Sequence, residues 1–263
     1  NSSHGGALRI DHVMRFFRLF WITDGQEAAN GVYVKDFSED LIRILALESV
    51  RGRFLVIGED LGTVEPYIRE TLGRFGILSY RLLYFEKNPD GTFKKPGTYP
   101  AQALVSVSTH DLPTLAGFWS GRDIAARRQA GMLLDEAGFH EQRRGRAGEK
   151  QRMLDTMFQL KLLADGLPRR EADFPEFTGE LHNAAVGFLA STPSSLFVLN
   201  AEDLFKETDQ QNLPGTTEQY PNWRHKLRYS VEELRSDPEA RGCALMFRSW
   251  LSQTGRLQSP DQS

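Results

Sequence analysis

Short apolar runs alternate along this chain with segments of helical period, and that alternation constrains the fold more than any other feature. The runs at 7–11, 54–59, 78–85, 103–109 and 195–200 read as strands. Between the first two, Ser38 to Glu48 carries apolar residues at spacings of three and four behind a Ser cap, which predicts an amphipathic helix. Residues 64–75 repeat the pattern, with Pro66 suited to a first turn where a missing N–H costs nothing. Further helix is predicted within the charged stretch 121–166, over 175–190 and around 230–252. The run Arg143-Arg144-Gly145-Arg146 reads as a solvated helix–helix loop rather than a functional basic patch. Strand alternating with helix is the signature of parallel βα units. No repeat, low-complexity tract or linker divides the chain, so 1–263 is expected to be a single domain, with a frayed tail over 259–263.

Its 263 residues are close to the roughly 250 of a (β/α)8 TIM barrel. Only five strands are visible, however, and the first starts within ten residues of the N-terminus. Hydrophobic residues at 40% and charged residues at 25% exclude disordered and fibrous classes. A net charge of -3 with dispersed basic residues argues against a nucleic-acid partner. No apolar run approaches the roughly 20 residues of a membrane span, and residues 1–10 lack the order of a signal peptide. Cys243 stands alone and reads as a core residue, so a reducing, cytoplasmic setting is expected. The glycosylation pattern at Asn1-Ser2-Ser3 carries little weight.

Three of the runs end in a carboxylate: Leu8-Arg9-Ile10-Asp11, Leu55-Val56-Ile57-Gly58-Glu59 and Val105-Ser106-Val107-Ser108-Thr109-His110-Asp111. In a parallel barrel the catalytic groups sit at the C-terminal ends of different strands. A retaining glycosidase needs one carboxylate as nucleophile and one as acid/base. Arg9 lies two residues before Asp11, on the same side of the pleat, where a cation favours the ionised nucleophile; a plain structural ion pair is the equal alternative. Glu59 follows Gly58, which admits a close neighbour or substrate, and half-burial there suits a general acid. Asp60 must point the other way, so only one of the two faces the site, and Asp60 is the candidate to hold the Leu61-Gly62-Thr63 turn. Asp111, taken alone, reads as the cap of a helix with Pro113 in its first turn, and His110 as a structural histidine. The other histidines show no metal spacing and no Gly-rich phosphate loop follows a strand, so no cofactor and no metal are expected. Trp223, in the polar loop Asn222-Trp223-Arg224, is a candidate platform for a sugar ring, although packing is the commoner use of such residues.

At these residues the sequence resembles the 4-alpha-glucanotransferases of the amylomaltase type, glycoside hydrolase family 77. The resemblance rests on Ala7 to Met14, Gly58 to Val64, Ser108 to Thr114, Asn212 to Thr217 and Pro221 to Arg224, in the family's order. It implies Asp11 as nucleophile, Glu59 as acid/base and Asp111 as the acid that steadies the distorted sugar. Arg9, His110, Asn222 and Trp223 are then glucan-binding, and the partner is a maltooligosaccharide or starch- or glycogen-derived glucan. In this family the nucleophile's strand is the fourth of the barrel, so the chain is expected to hold strands 4 to 8 with their covering helices. The missing N-terminal half is then a candidate partner, and the chain alone is expected to be weakly active or inactive. Arg15, Thr23 and Glu65 depart from the family pattern. An alpha-amylase-type hydrolase would use the same carboxylates, and a glucan-binding module would be indifferent to Asp11→Asn.

Overall fold

The computed structural model describes residues 4–35, 37–133 and 135–257; Asn1-Ser2-Ser3 and the tail from 259 lie outside them. The described chain is mixed α/β, and one five-stranded sheet runs in the order β1-β4-β5-β6-β7. All five strands predicted from the apolar runs are present, each trimmed at its ends: β1 (Ala7–Ile10), β4 (Leu55–Gly58), β5 (Leu78–Leu82), β6 (Ala103–Ser106) and β7 (Leu196–Phe197). The chain forms two compact units, 1–81 with 100–104 and 194–196, and the remainder.

In the first unit β1 pairs in parallel with β4, from Ala7↔Leu55 to Ile10↔Gly58, and β4 with β5 through Ile57↔Leu78 and Gly58↔Ser79. The Ser79 N–H donates to the Gln102 carbonyl at 3.1 Å and so leads on toward β6. α1 (Ser38–Gly52) and α2 (Pro66–Arg74) follow β1 and β4, as the periodicity predicts, and Pro66 does open α2. Ser38 is not the expected cap; the N-cap is Phe37 and no side chain bonds there. Ile42, Ile68 and Leu72 bury the inner faces of these helices with Val13, Val56 and Ile77. A Cβ at Gly58 would lie 3.1 Å from Val13 and 3.2 Å from Ile77, tighter than ordinary contact, so a larger residue there would have to push these side chains aside. Side chains, not a backbone, make the close approach.

One element of this unit escapes the sequence reading. β2 (Arg18–Trp21) and β3 (Val32–Lys35) form an antiparallel pair in register Arg18↔Lys35 to Trp21↔Val32. Neither strand alternates apolar with polar residues, and a long connection separates them, so the usual hairpin signals are missing. Glu65, at a family departure, holds Arg18 at 2.6 Å.

The second unit is largely helical: α3 (Leu115–Ser120), α4 (Arg122–Gln129), α5 (Glu136–Gln159), α6 (Gly179–Ala190), α7 (Ala201–Leu204), α8 (Glu233–Ser236) and α9 (Pro238–Gln253). Two strand ends enter it, with Leu83 N–H donating to Ser106 and Val198 N–H to Val105, both at 3.0 Å. Its core joins Val105 and Val107 to Phe118, Leu154, Leu181 and Phe188. Cys243 is buried on α9 against Phe205, the core role expected of it. The Arg143–Arg146 run is not a loop; it lies in mid-α5. Arg146 is not solvated either, since its two Nη atoms each donate to Asp123 at 2.8 Å and Nη1 also reaches the Phe118 carbonyl at 2.6 Å. Among the described residues no helix is long and apolar enough to cross a membrane.

Candidate active site

Asp11 and Glu59 occupy equivalent positions, each one residue beyond the C-terminal end of a strand, and those strands are paired neighbours. The ladder continues past the strands: Glu59 N–H donates to the Ile10 carbonyl and Val13 N–H to the Glu59 carbonyl, both at 2.9 Å. Parallel pairing in register therefore delivers both carboxylates to one edge of the sheet. Asp11 is 76% exposed and its Oδ1 lies 2.9 Å from Nη1 of Arg9, as the period of two predicts. The Arg9 guanidinium also sits 5.6 Å from the centre of the Tyr80 ring.

Glu59 is half-buried and has no cation on it among the described residues. Its Oε2 accepts the His12 N–H at 2.7 Å and its Oε1 the Leu61 N–H at 2.8 Å. The first bond depends on His12, which adopts the left-handed conformation at φ 45°, uncommon for a residue with a side chain. Thus the residue following Asp11 orients the carboxylate of Glu59. The Leu61 turn is held by Glu59, not by Asp60 as the sequence suggests. Asp60 is fully buried and turned the other way; Oδ1 accepts the Tyr80 N–H at 2.8 Å, and Oδ2 lies 2.9 Å from Arg69 Nε and 3.4 Å from Arg81 Nη2. It ties the end of β4 to β5 and α2, which leaves Glu59 as the carboxylate at the strand exit.

In the second unit Asp111 is not a helix cap. Thr114 takes that duty for α3, its hydroxyl accepting the Gly117 N–H at 3.0 Å. Pro113, before the cap, lies outside the helix, so the Asp111 carboxylate is left half-exposed for other work. Its Oδ1 accepts from Asn212 Nδ2 at 2.6 Å, and its Oδ2 lies 3.4 Å from His110 Nε2. The Trp223 ring, 63% exposed, is 4.9 Å from the His110 ring, and Trp223 is held at φ 61° with its N–H on the Gln211 carbonyl. Asn222 has both ends of its amide occupied: Oδ1 accepts the Leu213 N–H at 2.8 Å and Nδ2 donates to Thr216. It clamps the 213–216 turn.

Asn212 is the contact that the residue reading missed. It opens the Asn-Leu-Pro-Gly-Thr motif, and a polar residue at the head of a Pro-Gly turn was the available signal. A second missed residue is Asp203, fully buried, which accepts from Ser108 Oγ at 2.8 Å and the Leu115 N–H at 2.7 Å. Burial pushes its carboxyl up to about 6. His182, buried nearby in sequence contacts with Phe177, is pushed down to about 4 by burial and by the Lys206 charge. Among the described residues no three His, Cys, Asp or Glu side chains group as metal ligands.

The glycoside hydrolase 77 family profile, described as 4-alpha-glucanotransferase, matches residues 1–232. The 4-alpha-glucanotransferase of Haemophilus influenzae is 39% identical over 229 residues, 86% of this chain and 32% of that protein. That of Mycobacterium tuberculosis is 39% identical over 230 residues, 85% and 30% respectively. The chain thus spans about a third of the length of these curated relatives. Among solved structures, the amylomaltase of Corynebacterium glutamicum superposes with a TM-score of 0.85 at 34% identity, over 94% of this chain and 36% of that one. The amylomaltase of Streptococcus agalactiae, solved with acarbose, shares the fold at a TM-score of 0.65 and 17% identity, over 96% and 42%. By a family match across residues 1–232, most of its length, this chain belongs to the 4-alpha-glucanotransferase family, glycoside hydrolase family 77.

Proposed function

We propose that this chain supplies the catalytic carboxylates of a 4-alpha-glucanotransferase that moves α-1,4-glucan segments between maltooligosaccharides with retention. The observation that carries the reading is the pairing of Asp11 and Glu59 at the exits of adjacent parallel strands, in different surroundings. Asp11 carries a guanidinium at 2.9 Å. Among the described residues Glu59 carries only backbone N–H groups, from His12 and Leu61. Two carboxylates in unlike environments are what separates nucleophile from acid/base.

In this mechanism Glu59 gives a proton to the departing glycosidic oxygen while an Asp11 oxygen bonds to the anomeric carbon. The 4-hydroxyl of a second glucan then attacks that carbon, Glu59 takes its proton, and the bond to Asp11 breaks. By motif match Asp111 steadies the positive charge of the transition state, with Asn212 holding it. Arg9, His110 and the exposed Trp223 contact the sugar, and Asn222 serves by fixing the turn beside Trp223. The strands are assigned as 4 to 8 of a (β/α)8 barrel. The boundaries between the two compact units fall inside β5, β6 and β7, which favours one catalytic domain. A lone buried Cys243 favours a reducing compartment, and we assign the cytoplasm.

The test is to incubate the chain with maltotriose, alone and together with an N-terminal half-barrel of the family, and resolve the products by length; the chain alone is expected to be weakly active or inactive. Transfer yields glucose together with maltopentaose and longer glucans, and Glu59→Gln lowers the rate by about 10²- to 10⁴-fold. Products only shorter than the substrate would mean a hydrolase. Binding without turnover, unaffected by Asp11→Asn, would mean a glucan-binding module.

A further inference from the structure

α5 carries a second cationic site that has no part in the carboxylate chemistry. His140, Arg143, Arg144, Ala147 and Lys150 recur at spacings of three and four, so they share one face of this helix. They line a cleft of about 530 Å³, within the range of small-molecule sites. Ala147 is the smallest of the five and leaves a hollow at mid-face. Arg143 and Arg144 stand one turn before it and Lys150 one turn after it, so the cations bracket the hollow at about 5 Å on either side.

The charges are not equally committed. Arg146, the third arginine of the run, is consumed by Asp123. Lys150 Nζ is 3.2 Å from Glu171 and 4.7 Å from the centre of the Trp119 ring. Arg143 and Arg144 are exposed and have no carboxylate partner among the described residues; Arg143 touches only the Phe139 ring, at 5.8 Å. The lining also includes Gly121, the N-cap of α4, whose first turn carries the buried Asp123 already bound by Arg146. Two guanidinium groups without a carboxylate partner among the described residues, facing one cleft, select a phosphoryl group. The Lys150–Glu171 pair at the other side of Ala147 offers both donors and acceptors, which suits hydroxyls. We propose that this cleft binds a sugar phosphate monoester, with the phosphoryl group on Arg143 and Arg144 and the sugar hydroxyls over Ala147 toward Lys150 and Glu171.

Calorimetry with glucose 6-phosphate, inorganic phosphate and maltose as probes tests this on the full chain. Glucose 6-phosphate is expected to bind saturably, inorganic phosphate more weakly, and maltose not to compete. Arg143→Gln with Arg144→Gln weakens glucose 6-phosphate at least about tenfold. Ala147→Leu keeps every charge and fills the hollow, so it abolishes glucose 6-phosphate binding and spares inorganic phosphate. Both sets of substitutions lie on the outer face of α5, and circular dichroism checks that the helix content is unchanged. Absence of saturable binding, or equal affinity in the double arginine variant, overturns the site. Equal affinity for inorganic phosphate, or displacement by maltose, overturns the sugar phosphate assignment.

Discussion

Asp60 gives the sharpest test of how the candidate site is held. Its carboxylate is fully buried, and three groups depend on it: Arg69 Nε at 2.9 Å, Arg81 Nη2 at 3.4 Å and the Tyr80 N–H at 2.8 Å. Asp60→Asn keeps the shape, replaces an acceptor oxygen with a donor and removes the charge. Taking one partner out of a buried ion pair costs about 3–5 kcal/mol, because the other charge stays where water cannot reach it. The Arg69 side chain is 36% exposed and is able to rehydrate, whereas that of Arg81 is only 14% exposed. The low end applies, about 3 kcal/mol. For a chain of this size that lowers Tm by about 6–12 °C. The loss also reaches function, since Glu59 is the preceding residue and a displacement of about 1 Å costs on the order of 10²-fold in rate. Calorimetric melting of wild type, Asp60→Asn, Arg69→Ala and the double variant measures both the total and the pairwise coupling. A Tm within about 2 °C of wild type for Asp60→Asn, or strict additivity in the cycle, would refute the reasoning.

Three further outcomes are expected. Burial raises the Asp203 carboxyl to about 6, above its unfolded value, so its contribution to stability is present at acid pH and lost as pH rises toward and past 6. His182, lowered to about 4, contributes in the opposite sense: its stability is present above its unfolded value near 6.5 and lost as pH falls toward 4. Asp203→Asn should therefore be more stable than wild type at pH 7.5 and steepen the fall of stability between pH 6 and 4 in urea titrations, by up to about 1.4 kcal/mol per unit. Gly117→Ala places a Cβ 2.3 Å from the Thr208 carbonyl oxygen and 2.9 Å from the capping Thr114 hydroxyl, so it should lower Tm despite the roughly 1 kcal/mol gain in helix propensity. Asn212→Ala, which frees the Asp111 carboxylate, should lower kcat on maltotriose about 10- to 100-fold with KM little changed and the melting curve intact.

The strand-end position of the carboxylates was legible because a strand is a local object. Apolar runs of strand length end where polar residues begin, and Asp11 and Glu59 stand at those ends, whereas Asp111 lies five residues past the end of its strand at Ser106. The period of two sufficed to put Arg9 beside Asp11 and to send Asp60 away from Glu59. Helices α1 and α2 followed from spacing for the same reason, and α6 and α9 fall in the stretches 175–190 and 230–252 read as helix. The β2–β3 pair did not, since its strands have no alternating pattern and their pairing is an event between segments.

What the sequence determined by itself is the order of βα elements, the positions of the candidate carboxylates and, through its motifs, the family. Tertiary structure alone decided which neighbours each carboxylate has. Asp111 matches a helix cap in one dimension, yet Thr114 reaches the Gly117 N–H and leaves Asp111 to Asn212, a residue 101 positions away. Arg146 looks like part of a solvated run, yet the turn between α3 and α4 brings Asp123 to it and leaves Arg143 and Arg144 with the outer face. Glu59 owes its orientation to the N–H of His12, which points there only because β1 and β4 pair in register and His12 turns left-handed at the strand exit. Spacing along a chain sets which face a side chain takes; the partner on that face comes from contacts between segments that no local period encodes.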